Sequence, residues 1–205
     1  GYATKLNNIE EPTRPKLQFK GKIQDAATVD FPVSSSGNGF NLVGNPYSTW
    51  LFANSSANAY NLLTVNEAIL DLEATIWLWD TDDQTYITKN QSDPAFSISP
   101  TQGFFVKVNS GDGDFSFAEN MQTLTANTYY RTPNTRFEIN LFVANNEYQR
   151  YTNVRYINNR TTSFDNGYDS SLFGGDDLSI YTELVENNTG KKLAIQSLPN
   201  SNFKN

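Results

Sequence analysis

Apolar and polar residues alternate with a period of two along most of the chain, in short runs broken by Gly, Pro, Asn and Asp. Such runs predict half-buried β-strands joined by tight turns. In "KLQFKGKI", Leu17 and Phe19 fall on one face and Lys16, Gln18 and Lys20 on the other. "ATVDFPV" follows, and Pro32, which has no amide proton to give a ladder, places that run at a sheet edge. "GFNLVGN", "ATIWLWD", "QTYITK", "AFSIS", "GFFVKV", "DFSFAE" and "QTLTANTYY" continue the pattern. Their spacing is close to the roughly 8 to 12 residues per strand of a sandwich or barrel. The links "DTDDQ" and "NSGDGD" have hairpin composition. In "GNPYST", Gly44 permits a bend, Asn45 is pushed toward extended geometry by the proline after it, and Pro46 fixes its own φ. One stretch, Ser55 to Leu72, departs from strand periodicity. Its Thr64-x-x-Glu67 spacing is a capping box and predicts one or two turns of helix.

"RTPNT" at Arg131 to Thr135 interrupts the alternation, and we place a domain boundary there. Beyond it "RFEINLFVANNEYQRYTNVRYINN" reads as a second meander, and the loop "TTSFDNGYDSSLFGGDD" leads into strands "LSIYTEL" and "KKLAIQSL". The expected architecture is all-β: two small antiparallel β-sandwich domains, jelly-roll or Ig-like, over residues 1–130 and 131–205, with at most one short helix.

Composition narrows the chemistry. The chain of 205 residues has no Cys and no His. Disulfides, thiolate nucleophiles, Ser-His-Asp triads and the usual zinc ligands are therefore excluded. Fifteen basic residues stand against 22 acidic ones, for a net charge of -7, with no basic cluster to track phosphates, so nucleic acid is not an expected partner. No apolar run approaches the ~20 residues of a membrane-spanning helix. "GYATKLNNIE" lacks the regions of a signal peptide, and the start reads as a cut into a longer protein.

The ordered series "GFNLVGNPYST", "ATIWLWDTDDQTYIT", "ISPTQGFFVKV", "DFSFAENMQT", "FDNGYDSSLF", "LSIYTEL" and "KKLAIQSLPN" covers about Phe40 to Pro199. It resembles the β-rich region that precedes the sorting signal in proteins exported by the type IX secretion system of Bacteroidota. The resemblance implies an extracellular or cell-surface protein and a partner in the type IX secretion machinery. Members of that family usually continue with further strands and a sorting tail, so the resemblance implies a second domain truncated at its C-terminal end and no visible sorting signal. It implies no reaction for this region.

Three constellations are candidates for function. Trp77 and Trp79 share one strand face, and with Tyr47, Trp50 and Tyr86 they would make an aromatic platform for sugar rings, as in a carbohydrate-binding module. A strand apolar on both faces is equally a buried central strand. Asp165, Asn166, Asp169, Asp176 and Asp177 offer hard oxygen ligands on a Gly-containing loop, a candidate calcium site, although they do not match the EF-hand spacing and also read as turn residues. Glu67, Asp71, Glu73, Asp80 and Glu119 are the carboxylates from which a glycosidase pair would be drawn. No motif singles one out. The expectation is a non-catalytic accessory or adhesion region, acting as spacer or surface-contact module; a carbohydrate-binding module and a polysaccharide-degrading enzyme are the alternatives.

Overall fold

A computed structural model of the chain describes residues 22–70, 73–80, 84–108, 110–125, 136–147, 149–174 and 178–200. The run Lys16 to Gly21, the boundary at Arg131 to Thr135, and Asp176 and Asp177 lie outside the described residues. The protein is all-β with several antiparallel sheets, and the described residues hold one short α-helix.

In the first half, β2 (Phe40–Gly44), β7 (Gly103–Lys107), β4 (Thr75–Asp80) and β5 (Thr85–Asn90) form a four-stranded sheet in that order. A three-stranded sheet holds β6 (Ser97–Ile98), β3 (Trp50–Phe52) and β9 (Gln122–Thr123), and β1 (Thr28–Val33) pairs with β8 (Gly113–Ala118). Ladder partners share a face, so alternation sorts the four-stranded sheet into two surfaces. Val43, Phe104, Val106, Ile76 and Leu78 point inward and join Leu51, Ile98, Phe115 and Phe117 in one buried cluster. The opposite face carries Phe40, Phe105, Trp77, Trp79 and Tyr86.

Some local readings change. The helix α1 (Leu62–Val65) begins at Asn61, whose Oδ1 accepts from the Thr64 amide at 3.0 Å, so Thr64 lies inside the helix rather than capping it. The "NSGDGD" link does not close a hairpin, because β7 pairs with β2 and β4 whereas β8 pairs with β1. Gly39, not Gly44, is the glycine its position requires: its φ is +75°, and a Cβ there would stand 2.2 Å from the Val108 carbonyl oxygen. The corner after Gly44 is held by Asn45, which is buried; its Nδ2 donates to Thr49 O at 2.8 Å and to Ser99 O at 3.0 Å. Asn54, Asn61, Asn66 and Asn90 are buried too. Each turns a loop inward without orphaning its polar groups.

In the second half, β10 (Glu138–Ala144), β11 (Gln149–Ile157), β13 (Leu193–Pro199) and β12 (Ser170–Ser171) make a four-stranded sheet in that order. The β11–β13 pairing is parallel, which the long connection between them permits. "LSIYTEL" forms no strand; only Thr182 makes an isolated bridge, to Leu193.

The second half lies on the outer face of the first. Phe173 sits among Phe40, Tyr86 and Phe105 at ring-centroid distances of 4.2, 4.4 and 4.8 Å, with Trp77 6.0 Å away. Around it the Trp77 Nε1 donates to Ser171 O at 3.2 Å and the Asn90 Nδ2 to Tyr168 O at 2.9 Å. This contact leaves an open cleft on one side.

Candidate functional site

The cleft has a volume of about 800 Å³ and runs between β5 and the β10–β11 hairpin. That size falls within the range of small-ligand sites, roughly 300 to 1,000 Å³. One wall is the β4–β5 hairpin, with Trp79, Asp80 and Tyr86 near its turn and Lys89 further along β5; the other is Asn140, Arg150, Tyr151 and Asn153, and Phe173 also lines the cleft. Trp79 is 52% exposed and packs edge-on against Tyr86 with centroids 5.0 Å apart. Tyr151, opposite, is 42% exposed. Asn140 and Asn153 are ladder partners, and the Asn153 side-chain Nδ2 donates to the Asn140 Oδ1. The site therefore offers aromatic faces on both sides and amide groups on one, able to pack on an apolar surface while hydrogen-bonding to hydroxyls or acids.

Charge gathers at one end of the cleft. Arg155 is buried and reaches both oxygens of Asp93 (3.2 and 3.1 Å), while the Lys89 ammonium stands 3.4 Å from the same carboxylate. Arg136 donates to Glu138 at 2.9 Å, and the Arg155 Nε, which makes no hydrogen bond, is 3.6 Å from Glu138. Burial by itself would raise the Asp93 carboxyl, but Arg155, Lys89 and the Asn90 amide outweigh it and hold the group below the usual carboxylate range.

The candidate aromatics divide. Trp79 and Tyr86 meet in the cleft. Trp77 lies on the same strand face but is fully buried, under Phe40 and Phe173. Tyr47 is 1% exposed, its hydroxyl 3.0 and 3.1 Å from the carbonyls of Ala26 and Phe117, and half-buried Trp50 pairs with Thr123 away from the cleft. Phe173, Tyr151, Arg150, Asn140 and Asn153 went unnoticed in the sequence. Period-2 alternation puts Tyr151 and Asn153 on one strand face, yet nothing local says which strands that face will meet.

The loop acids act within the fold. Asp165 accepts from the Thr161 amide at 2.7 Å, Asp169 accepts from the amides of Asp165 and Ser197, and Asn166 accepts from the Ala74 amide at 3.1 Å. Among the described residues no group of three carboxylates converges as a metal cage would. Of the glycosidase candidates, Asp80 is the one described carboxylate on the cleft wall; Glu67 and Glu119 are exposed elsewhere, and Asp71 lies outside the described residues. Glu73 is buried, with the Lys191 ammonium at 2.9 Å and that of Lys107 at 3.4 Å from its two oxygens. It ties the halves together.

Set against known protein families, curated proteins and solved structures, the chain matches none. What the fold and site define is an all-β, sandwich-like protein with an aromatic-walled cleft where its two halves meet. Among the described residues no helix is long and apolar enough to cross a membrane.

Proposed function

We propose that the chain is a non-catalytic accessory region of a secreted or cell-surface protein exported by type IX secretion, and that it contacts polysaccharide through this cleft. One observation carries the contact: Trp79 keeps half its surface in solvent on a strand whose preceding four residues are all buried, beside Tyr86 and on a cleft that Tyr151 also lines. A large ring held rigidly in the open by its neighbours is well placed to stack on the C–H face of a pyranose. The absence of His and Cys from the sequence supports a non-catalytic role, and the ordered motif series from Phe40 to Pro199 supports the secreted setting.

Affinity electrophoresis through gels containing single polysaccharides tests the contact. At least one polymer should retard the protein, and Trp79→Ala should abolish that retardation while leaving the melting temperature nearly unchanged. Retardation undiminished in a folded Trp79→Ala protein would remove the cleft from consideration.

A further inference from the structure

We infer that β10 is a dimerisation edge, at which a second copy of this chain adds its own β10 antiparallel across a two-fold axis. Among the described residues β10 has a single strand neighbour, β11, so one side of it is open. The Tyr156 amide donates to the Phe137 carbonyl at 3.0 Å, and in an antiparallel ladder such bonded pairs recur at every second residue. Ile139, Leu141 and Val143 therefore turn their backbone groups toward β11. Asn140, Phe142 and Ala144 turn theirs outward, where no described strand meets them.

Other edge strands carry guards. β1 has Pro32, β5 has Lys89, and β12 is only two residues long, and each of these devices discourages pairing with another chain. In a chain with a net charge of -7, the run from Ile139 to Asn146 holds no charged residue and no proline. Ile139 is 39% and Leu141 40% exposed on one face of the strand, and Phe142 is 64% exposed on the other.

That absence of charge selects the partner. A charged peptide would find no counter-charge along Ile139–Val143, whereas the strand set against itself brings no like charges together there. Centred on Leu141, the pairing runs the whole length of β10; any other centre shortens the ladder. Leu141 then faces its own copy across the axis, Ile139 faces Val143, and Asn140 and Phe142 exchange backbone bonds. A two-fold contact of this kind is self-complementary and closes at two copies. The axis stands perpendicular to the joined sheet, so both clefts open on one face of it, and the pairing does not depend on what they bind.

The full chain should show a concentration-dependent dimer in sedimentation velocity over about 1 to 100 µM, a range of weak to moderate association. Leu141→Lys sets two ammonium groups opposite each other on the axis, and Leu141→Glu sets two carboxylates there. Each should weaken association at least about tenfold, and an equimolar mixture of the two should dimerise again. Because the sequence has no Cys, Leu141→Cys supplies a lone thiol. Facing residues of a non-bonded pair stand about 4.5 Å apart at Cα, within a disulfide's reach, so oxidation should give a covalent dimer on a non-reducing gel. Ile139→Cys, whose two copies would stand about 14 Å apart, should give none. A chain that stays monomeric throughout that range overturns the inference, and slow hydrogen exchange at the Phe142 amide of that monomer would identify another segment of the chain as the cover of the edge. A dimer unchanged in folded Leu141→Lys, or Ile139→Cys crosslinking as fast as Leu141→Cys, overturns it as well.

Discussion

The two halves of the molecule are built from different interiors. Residues 33–121 supply one continuous apolar cluster, including Tyr47, Leu51, Ile76, Phe104, Phe115, Phe117 and Met121. Among the described residues from 136 onward the buried apolar ones are Val154, Leu184, Leu193, Ala194 and Ile195, outnumbered by buried Thr152, Arg155, Asp169, Ser170, Ser171, Gln196 and Ser197. Burial of apolar surface is the main driving force for folding, whereas a buried polar group must find a partner to avoid a penalty. Several of those polar partners belong to the first half: Asp93 for Arg155, Thr75 and Asn90 for Ser170, Trp77 for Ser171 O. The first half is organised by its own core, and the second by what it docks against. The cleft is a product of that docking.

The largest consequence is independence of one half but not the other. Residues 1–125 expressed alone should melt cooperatively, while residues 136–205 alone should show no cooperative transition and no dispersed amide spectrum. A cooperative transition in the second fragment would break the contrast between the halves.

Next in size is the ionic tie. Asp93→Ala strands a buried guanidinium, and a broken buried pair typically costs about 3 to 5 kcal/mol, to be read from urea denaturation. A loss below ~1 kcal/mol would mean that Glu138 alone satisfies Arg155. Phe173→Ala comes after it. A fully buried Phe→Ala costs about 3 to 5 kcal/mol, and since Phe173 is half-buried we expect roughly 2. It should also shift Trp77 emission to the red by wetting its ring. An unshifted spectrum would show that Phe40 shields Trp77 unaided.

How far the sequence foretold these features follows from which interactions are local. β4, β5 and β7 were legible because alternation is written residue by residue, and Pro32 marked β1 as an edge strand because a missing amide proton has one structural meaning. The two tryptophans illustrate the limit. Trp77 and Trp79 have the same parity on the same strand, and only the position of Phe173, almost 100 residues away, separates a buried ring from a ligand-facing one. The "LSIYTEL" run failed for the complementary reason: its alternation is genuine, but apart from the Thr182 bridge it finds no ladder partner. The buried asparagines carry structural meaning that the sequence could not express, since a buried Asn45 or Asn90 is recognisable only once the loops it joins have met.

The smallest expected effect tests Asp169, a buried acid of the second half. Its side chain is fully buried, and burial pushes its carboxyl up to about 7, with nearby Asp165 adding to the rise and the Asp165 and Ser197 amides and Arg160 opposing it. A group whose folded pKa lies above its unfolded value binds a proton in the folded state that the unfolded chain has already released. Its stabilisation is complete below about pH 4 and is lost as pH rises through about 7. Asp93 works in the opposite sense: its stabilisation is fully present between pH 5 and 8 and is lost only as pH falls through and below the carboxylate range, so it adds no pH dependence over that window. Because two amides favour the ionised Asp169, the change over that window should be on the order of 2 kcal/mol or less. Asp169→Asn cannot ionise, so its stability relative to wild type should improve from pH 5 to pH 8 in paired denaturation curves. A difference that stays constant with pH would show that Asp169 is already ionised at pH 5, held by its amides as firmly as Asp93 is held by Arg155.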